Sequence, residues 1–290
     1  MTRQVFLHLT ARVPAGAPDL TREDTGAWLW DHLRAAFPSA VAAVLMPDHP
    51  HLIVPSTDPA ASAERLARLL GHFGRVFAVA PGTRVATPEP IRSRAALARQ
   101  IRYVALNPCR AKRASCPLAW PWSTHRDVVG AVVDPWVSAD RIARVLDAPA
   151  AGFARRHHAY VSGDPDAEPD GTPFPRAVTP IERSTLPTVS LRTLAEAVSS
   201  AHRTPLAALR RRGHARALFV ALAFEQGWDH APKLADVCRC SPRTIRSLAI
   251  AGEPARLRIA RLCLGDPRLR VLPPRAATRG AHPRERARDW

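Results

Sequence analysis

Two histidines, His49 and His51, stand one residue apart in the apolar segment MPDHPHLIVP at residues 46–55. Side chains at positions i and i+2 of a β-strand point to the same face of the sheet, so a strand here would hold both imidazoles together. Two neutral imidazoles on one face form half of a binding site for a divalent cation. The pair alone is equally compatible with two exposed histidines, or with two that are satisfied in the core.

A second set of candidate residues lies in IRYVALNP at residues 101–108. Tyr103 and Asn107 are spaced i, i+4 on a predicted helix, so they share a face. A tyrosine phenolate beside a bound metal and a basic surface can attack a DNA phosphodiester and form a phosphotyrosine ester. The metal would polarise the scissile phosphate, and Asn107 could supply a third, oxygen ligand. The structural alternative for Tyr103 is an aromatic core residue with its hydroxyl at the surface.

The charge of the chain favours a nucleic-acid partner. The 290 residues include 42 Lys plus Arg and 25 Asp plus Glu, which gives a net charge of +17. Such an excess of basic residues suggests a polyanionic partner, and arginine suits bidentate contacts with phosphate. A GC-rich genome would explain the choice of arginine over lysine, but it would not explain the excess over acidic residues.

Hydrophobic periodicity predicts strands and helices in the first half of the chain that must position these residues. Strands are expected at residues 4–13 and 40–54, the second divided near Met46–Pro47. The segment LTREDTGAWLWDHLRAAF predicts a helix with Thr21 as its N-cap. The segment RAALARQIRYVALN predicts a helix that stops before Pro108. With a further helix in SAERLARLLGHFGRVFAV and a short strand or loop in TRVATPEPIR, this order favours an α+β fold with an antiparallel sheet.

Composition divides the chain into five parts. A Pro- and Asp-rich stretch separates the α+β region from a segment with helical periodicity throughout, and the last residues are basic and rich in proline. The expected parts are a catalytic domain at 1–130, a helical extension at 131–161, a linker at 162–185, an all-α DNA-binding domain at 186–268 and a disordered tail at 269–290.

The segment LADVCRCSPRTIRSLA at residues 234–249 has the layout of a helix-turn-helix. A helix leads to a short turn, and Ser241 caps a second helix that has Pro242 at its first position. A generic helical bundle is the alternative. The residues expected to contact duplex DNA are Arg243, Thr244 and Arg246 at the start of the second helix, and the run Arg210, Arg211 and Arg212, which would look the same if it were only a solvated charge run.

Several cysteines, histidines and a second tyrosine lie outside these motifs. Cys238 and Cys240 lack two further ligands at zinc spacing, so buried thiols are expected. His157 and His158 lie in a basic helix that we expect at the surface or facing DNA. Tyr160 is a weak rival nucleophile.

No apolar run reaches the ~18 residues of a membrane helix and no signal peptide is recognisable, so we expect a cytoplasmic, nucleoid-associated protein without membrane contact.

Three motifs together resemble a known family. The segments MPDHPHLIV, RYVALNPCRA and AWPWSTHRDVVG resemble, in order and spacing over about residues 4–130, the REP-associated tyrosine transposases of the single-tyrosine HUH superfamily. The opening HLTAR is similar to a stretch of that family's first strand. The segment after the linker resembles the C-terminal DNA-binding domain of bacterial replication initiators. The resemblance implies a ferredoxin-like antiparallel sheet with packed helices, followed by an all-α helix-turn-helix domain.

The same resemblance assigns roles to the candidate residues. It implies that His49 and His51 bind Mg²⁺ or Mn²⁺, that Asn107 is a further ligand and that Tyr103 is the nucleophile. The expected activity is cleavage and rejoining of single-stranded or hairpin DNA through a 5′-phosphotyrosine intermediate, by a monomer or homodimer. Pro50 departs from the family's bulky hydrophobe between the histidines and favours the alternative, a catalytically inactive, domesticated DNA-binding regulator. Further DNA contacts are expected from Arg12, Arg102 and Arg110.

Overall fold

The computed structural model describes residues 5–132, 134–169, 189–248 and 254–268. These residues form two compact units. The first contains residues 5–130 and 134–169, and the second contains residues 131–132, 189–248 and 254–268. Among the described residues, no helix combines the length and the apolar character needed to cross a membrane. The expected disordered tail and most of the expected linker lie outside the described residues.

An antiparallel sheet of five strands forms the centre of the first unit, which confirms the predicted α+β class. The strand order is β2-β3-β1-β4, and the short β5 also pairs with β1. The more specific assignment to a ferredoxin-like topology stays a prediction. The strands are β1 (Val5–Arg12), β2 (Ala42–Leu45), β3 (Pro50–Ser56), β4 (Arg84–Val85) and β5 (Glu89–Ile91).

The register between β1 and β3 determines which side chains share a face of the sheet. Thr10 lies opposite His51, and His8 lies opposite Ile53. Because paired residues point to the same face and alternate residues along a strand do too, His8, Thr10 and His51 all project from one face. The intervening residues, such as Leu9 and Leu52, are fully buried on the other face.

Six helices and one 3₁₀ turn complete the first unit within the described residues. The first helix begins one residue later than predicted, because Arg22 and not Thr21 holds the N-cap position, and Arg22 makes no side-chain capping bond. The hydroxyl of Thr21 instead donates to Asp19, a local bond that competes with capping. The elements are α1 (Glu23–Ala36), α2 (Pro59–Val76), α3 (Arg94–Arg110), a 3₁₀ turn (Pro117–Ala119), α4 (Thr124–Val129), α5 (Ala139–Leu146) and α6 (Phe153–Ser162).

Helix α3 continues through Pro108, so the prediction that it stops before this proline is wrong. A proline removes only its own N–H from the ladder, and here that loss falls in the last turn. The turn is held by the N–H of Ala111, which donates to the carbonyl of Asn107 at 2.9 Å, and by the N–H of Arg113, which donates to Pro108 at 2.8 Å. The extra residues carry Arg110 onto the same helix as Tyr103.

Tryptophans after α3 fasten the edge strand β2. The indole of Trp120 donates to the carbonyl of Leu45 at 2.8 Å, and the N–H of Leu45 donates to the carbonyl of Trp122 at 3.0 Å. The indole of Trp122 donates to the carbonyl of Thr21 at 2.8 Å. Because β2 pairs with β3, these bonds fix the strand beside the one that carries His51.

The histidines of α6 are buried, so the interpretation of His157 and His158 as surface or DNA-facing residues is wrong. Only 5% and 4% of their surfaces are exposed. The helix turns this side towards α4, where Nε2 of His125 lies 3.0 Å from Nδ1 of His158. The neighbouring basic residues in the sequence suggest an exposed helix, but the two imidazoles, Phe153 and Val161 form its buried face.

The second unit is all-helical within the described residues. The hydroxyl of Ser241 accepts a hydrogen bond from the N–H of Thr244 at 3.2 Å, as the predicted cap requires. The sequence predicts that both Cys238 and Cys240 are buried thiols; Cys238 is buried, whereas Cys240 is only partly buried. Burial raises the pKa of Cys238 to about 12. The elements are α7 (Leu191–His202), a 3₁₀ helix (Leu206–Arg210), α8 (His214–Glu225), α9 (Ala231–Cys238), α10 (Pro242–Leu248) and α11 (Pro254–Leu264).

Candidate active site

The rings of His49 and His51 lie beside each other at the start of β3, and the ring of Tyr103, which is distant in the sequence, lies next to His51. The ring centroids of His49 and His51 are 4.8 Å apart. The centroid of Tyr103, on α3, lies 6.1 Å from that of His51 with the two planes at 88°. The structure therefore places His49 beside His51, and His51 beside the proposed nucleophile Tyr103.

The turn between β2 and β3 explains how proline fits between the histidines. His49 does not lie on the strand, since its carbonyl accepts from the N–H of Met46 at 2.9 Å in a tight turn. Pro50 is the first residue of β3, a position where a missing N–H is tolerated. Its carbonyl accepts from the hydroxyl of Thr10 at 2.9 Å. The imidazoles are consequently not parallel, as a strand would make them, but lie at 77° to each other.

Each of the two histidines has a hydrogen-bond partner at Nδ1. Nδ1 of His49 lies 2.6 Å from Oδ1 of Asp48. The other oxygen of this carboxylate, Oδ2, lies 3.2 Å from Nε of Arg12. Nδ1 of His51 lies 2.9 Å from Nε2 of His8. Neither Nε2 has a hydrogen-bond partner among the residues that the structure describes. A histidine that binds a metal commonly bonds its other nitrogen to such an outer partner.

Electrostatics favour neutral imidazoles in this cluster. Burial, with smaller contributions from His49 and His8, lowers the pKa of His51 to about 3. Burial also lowers the pKa of His8, although the charge of Glu89 opposes that shift. At Asp48 desolvation acts to raise the pKa, but the hydrogen bond from His49 and further charges outweigh it and lower the pKa. A neutral imidazole, as burial favours at His51, is the form that a divalent cation requires.

Asn107 supplies the remaining candidate ligand. It lies one turn after Tyr103 on α3, and its Nδ2 is buried without a hydrogen-bond partner. In the described part of the chain, no group of three or more His, Cys, Asp or Glu is arranged to hold a metal. A third protein ligand would have to be of another type, and the amide oxygen of Asn107 is the candidate. An amide oxygen suits Mn²⁺ or Mg²⁺, whereas imidazole nitrogens are less typical ligands of Mg²⁺. The mixed N/O donor set therefore fits Mn²⁺ better than Mg²⁺.

The expected DNA-contacting arginines of the first unit fall in different places. The guanidinium of Arg110 lies 5.1 Å from the centroid of the Tyr103 ring. Arg12 reaches the site through its ion pair with Asp48. Arg102 faces α6 instead, where it lies 5.5 Å from the ring of Tyr160 and donates to the carbonyl of Val161. The rival nucleophile Tyr160 is thus an exposed residue of α6.

The expected contacts of the second unit lie at two helix starts. Residues 210–212 are exposed and directly precede α8. Arg243 and Arg246 are exposed on α10, whose buried Ile245 anchors it. Thr244 is partly buried and its hydroxyl lies 2.9 Å from that of Ser241. The exposed guanidinium groups are therefore accessible to phosphate.

Sequence reasoning missed two residues of the site, His8 and Gln100. Their side chains lie next to each other, with the amide nitrogen of Gln100 3.1 Å from Nδ1 of His8. One signal existed, because His8 falls on the polar face of the alternating segment VFLHLTAR. Its position beside His51 depends on the register of two strands, which the sequence alone leaves open.

Comparisons with known proteins give one structural similarity. No family model matches the chain, and no curated protein matches it. The chain is similar to a solved structure of a REP-associated tyrosine transposase bound to a REP hairpin, with 19% sequence identity and a TM-score of 0.37. The similarity covers 43% of this chain and 79% of that one. At this level it carries no argument about function, so a proposed function must rest on the residues and their geometry.

Proposed function

We propose that the protein is a metal-dependent DNA endonuclease and strand transferase of the transposase type, with Tyr103 as nucleophile. The observation that carries the proposal is the contact of Tyr103 with His51, whose ring in turn lies beside that of His49. The Nε2 atoms of both histidines have no hydrogen-bond partner among the described residues. A phenol beside a divalent cation site on a strongly basic chain suits attack on a phosphodiester. The substrate class is single-stranded or hairpin DNA.

The chemistry consists of one reversible displacement. The phenolic oxygen of Tyr103 forms a bond to phosphorus while the bond from phosphorus to the 3′ oxygen breaks. The phenolic proton leaves to solvent, and the 3′ oxygen takes one up. The products are a 5′-phosphotyrosine ester and a free 3′ hydroxyl. Attack on the ester by the 3′ hydroxyl of a DNA strand reverses the step and joins the strands.

The protein's residues bind and orient the reacting groups. A divalent cation held by His49, His51 and Asn107 would polarise the scissile phosphate and offset part of its charge. Helix α3 holds the phenol against the face of the sheet, and Arg110 beside the ring adds positive charge for the phosphate. Because the nucleophile and the phosphate would already be held in place, the reaction would avoid the loss of translational and rotational entropy that a free collision requires.

The second unit would add duplex binding. Its exposed arginines on α10 follow a turn after α9, which is the order that a helix-turn-helix requires. Phosphate contacts from Arg210, Arg211 and Arg212 would add affinity that does not depend on sequence. A protein with this activity would work on chromosomal DNA, at the nucleoid in the cytoplasm.

A DNA-binding regulator without catalysis is the second candidate. One observation favours it: among the described residues, no three side chains of the His, Cys, Asp or Glu types are grouped so that they could hold a metal. In the sequence Pro50 favours the regulator, but the structure removes this reason, because the turn before β3 accommodates the proline. The regulator would retain the arginines and bind DNA reversibly.

A covalent-adduct assay separates the two candidates. Wild-type protein and the variants Tyr103→Phe and Tyr160→Phe are incubated with Mn²⁺ and a library of labelled hairpin DNAs that carry single-stranded flanks. The enzyme predicts a band that survives denaturing electrophoresis with wild type and with Tyr160→Phe, but not with Tyr103→Phe. A reversible shift without any denaturation-resistant band supports the regulator.

A further inference from the structure

A third histidine connects the proposed metal ligand His51 to α3. His8 is buried on β1, and its ring stacks on that of His51 with centroids 5.1 Å apart and planes at 14°. Its Nε2 lies 2.9 Å from Nδ1 of His51, and its Nδ1 lies 3.1 Å from the amide of Gln100. Gln100 is on α3, three residues before Tyr103. The three side chains form a continuous line of hydrogen bonds that ends at the proposed ligand.

The direction of this line decides whether His51 can bind a cation. Two neutral imidazoles that bond through one nitrogen each share a single proton between those nitrogens. If the amide oxygen of Gln100 faces His8, Nδ1 of His8 donates to it, and Nε2 of His8 accepts the proton of His51. Nε2 of His51 then keeps a free lone pair. If the amide nitrogen faces His8, every bond reverses and Nε2 of His51 carries the proton.

The amide nitrogen of Gln100 faces His8 in the structure, and this placement corresponds to the second direction. A half-turn of the amide about its last side-chain torsion converts one direction into the other, since that torsion is broad and roughly two-fold. His49 differs, because its partner Asp48 is a carboxylate that only accepts. In the neutral form of His49 this bond leaves the lone pair at Nε2, while the position of the lone pair of His51 depends on Gln100.

We propose that Gln100 and His8 are positioning residues that set the tautomer of His51 and thereby control its capacity to bind a divalent cation. This inference rests on the proposed function of the site. It assigns to β1 and to the middle of α3 a role in the metal site, although neither His8 nor Gln100 would contact the cation. Outer partners of this kind typically change metal affinity by about 10–100-fold when they are replaced.

Two variants separate the two directions. In Gln100→Glu the carboxylate only accepts, so His8 must donate to it and Nε2 of His51 must keep its lone pair. In His8→Phe the line is broken, so Nδ1 of His51 has lost the group that accepts its proton when Nε2 binds a cation. Arg99→Gln is the matched control for Gln100→Glu, because it changes the charge by the same amount at the neighbouring, exposed position on α3. Thermal melts of all variants identify any that fail to fold.

The test has a readout that needs neither metal nor DNA. In full-length protein with ¹⁵N-labelled histidine, long-range ¹H–¹⁵N spectra report which nitrogen of His51 carries the proton, and the His51→Gln variant assigns the signals. Mn²⁺ binding is measured by calorimetry. We expect Gln100→Glu to place the proton of His51 on Nδ1 and to tighten Mn²⁺ binding about tenfold, and His8→Phe to weaken it about tenfold or more.

Several outcomes would overturn this inference and would leave the proposed function uncontradicted. They are an unchanged His51 tautomer in Gln100→Glu, an equal gain in Mn²⁺ affinity in Arg99→Gln, and wild-type Mn²⁺ affinity in a folded His8→Phe. If His8→Phe does not fold, Gln100→Glu alone decides, because Gln100 is only partly buried. A wild-type protein that forms no adduct and binds no Mn²⁺ contradicts the proposed function instead, and the tautomer spectra still test the hydrogen-bond line.

Discussion

The ring of Tyr103 on α3 and the ring of His51 on β3 lie edge to face with their centroids 6.1 Å apart. This contact exists because β3 pairs with β1 in a register that turns His51 towards α3. It is reinforced by Thr124, at the start of α4, whose hydroxyl bonds to the backbone of Ala43 on β2. The geometry of the site is thus a property of the sheet and the segment after α3 together.

The role of Asn107 as a third ligand predicts a separation between metal affinity and stability. Asn107→Ala is expected to weaken Mn²⁺ binding by at least about tenfold. The loss of a residue that only supports a ligand already costs about this much, and the loss of a ligand should cost no less. It removes a buried nitrogen that has no partner, so the metal-free protein should change in stability by no more than about 1 kcal/mol. Asn107→Asp supplies an oxygen again and should restore binding. Calorimetry checks affinity, and urea unfolding checks stability; a wild-type Kd in Asn107→Ala would exclude the ligand role.

Two helical glycines predict opposite effects of the same substitution. A Cβ at Gly26 on α1 would lie 2.7 Å from the ring of Trp122, which fastens β2. Gly26→Ala should therefore destabilise the protein by about 1–3 kcal/mol. A Cβ at Gly71 on α2 would meet only the flexible end of Arg75, at 3.9 Å, and Gly71→Ala should stabilise by about 0.5–1 kcal/mol because alanine is the better helix former. Urea unfolding measures both changes, and equal signs would contradict the packing described here.

The buried histidines between α4 and α6 predict that the first unit loses stability in mild acid. Burial, aided by the neighbouring His158, lowers the pKa of His157 to about 4, and burial likewise lowers the pKa of His125. Both are buried neutral and must gain a proton on unfolding. The unfolded chain binds more protons below its ordinary pKa of 6.5, so stability is complete above that value and falls as the pH drops towards 4. His157 alone should cost about 2 kcal/mol at pH 5.

Unfolding curves at pH 7.5 and pH 5 check this prediction. The variant His157→Gln removes one titrating group and should reduce the difference between the two curves. The matched control is His72→Gln on α2, where the side chain is exposed. An undiminished pH effect in His157→Gln, or an equal reduction in His72→Gln, would show that other groups dominate.

The exposed arginines of α10 predict a salt-dependent contribution to duplex binding. Replacing Arg243 or Arg246 by alanine should weaken binding and reduce the slope of log affinity against log salt by about 1 for each phosphate that the variant no longer neutralises. Arg192→Ala on α7 is the control, since Arg192 is exposed but pairs with Glu196 on its own helix. Fluorescence anisotropy at several salt concentrations gives the slopes. Equal slopes in all three variants would contradict a role of α10 in binding.

Strand and helix positions were largely predictable, because the apolar periodicity in this chain is strong. The strand at residues 4–13 and the division near Met46–Pro47 match β1, β2 and β3 closely. The misses were local: the N-cap at Thr21, where a bond to Asp19 prevails, and Pro108, which α3 includes in its last turn. The burial of His157 could not be read from RRHHAYV, because it depends on how α6 packs against α4.

The candidate site was only partly predictable from the sequence. Spacing placed His49 near His51 and Asn107 one turn from Tyr103, since both relationships are local. The hydrogen-bond line through His8 and Gln100 required the register of β1 with β3 and the docking of α3 on the sheet, which are tertiary properties. The fit of Pro50 likewise depended on the turn that precedes β3.

The site of covalent attachment tests the central claim most directly. The chain has two tyrosines, and trypsin separates them, since Tyr103 lies in the peptide YVALNPCR between Arg102 and Arg110 whereas Tyr160 lies elsewhere. After reaction with hairpin DNA and Mn²⁺ and digestion with nuclease, mass spectrometry should find a nucleoside 5′-phosphate on Tyr103. A nucleotide on Tyr160, or an adduct that Tyr103→Phe still forms at the wild-type rate, would contradict the account.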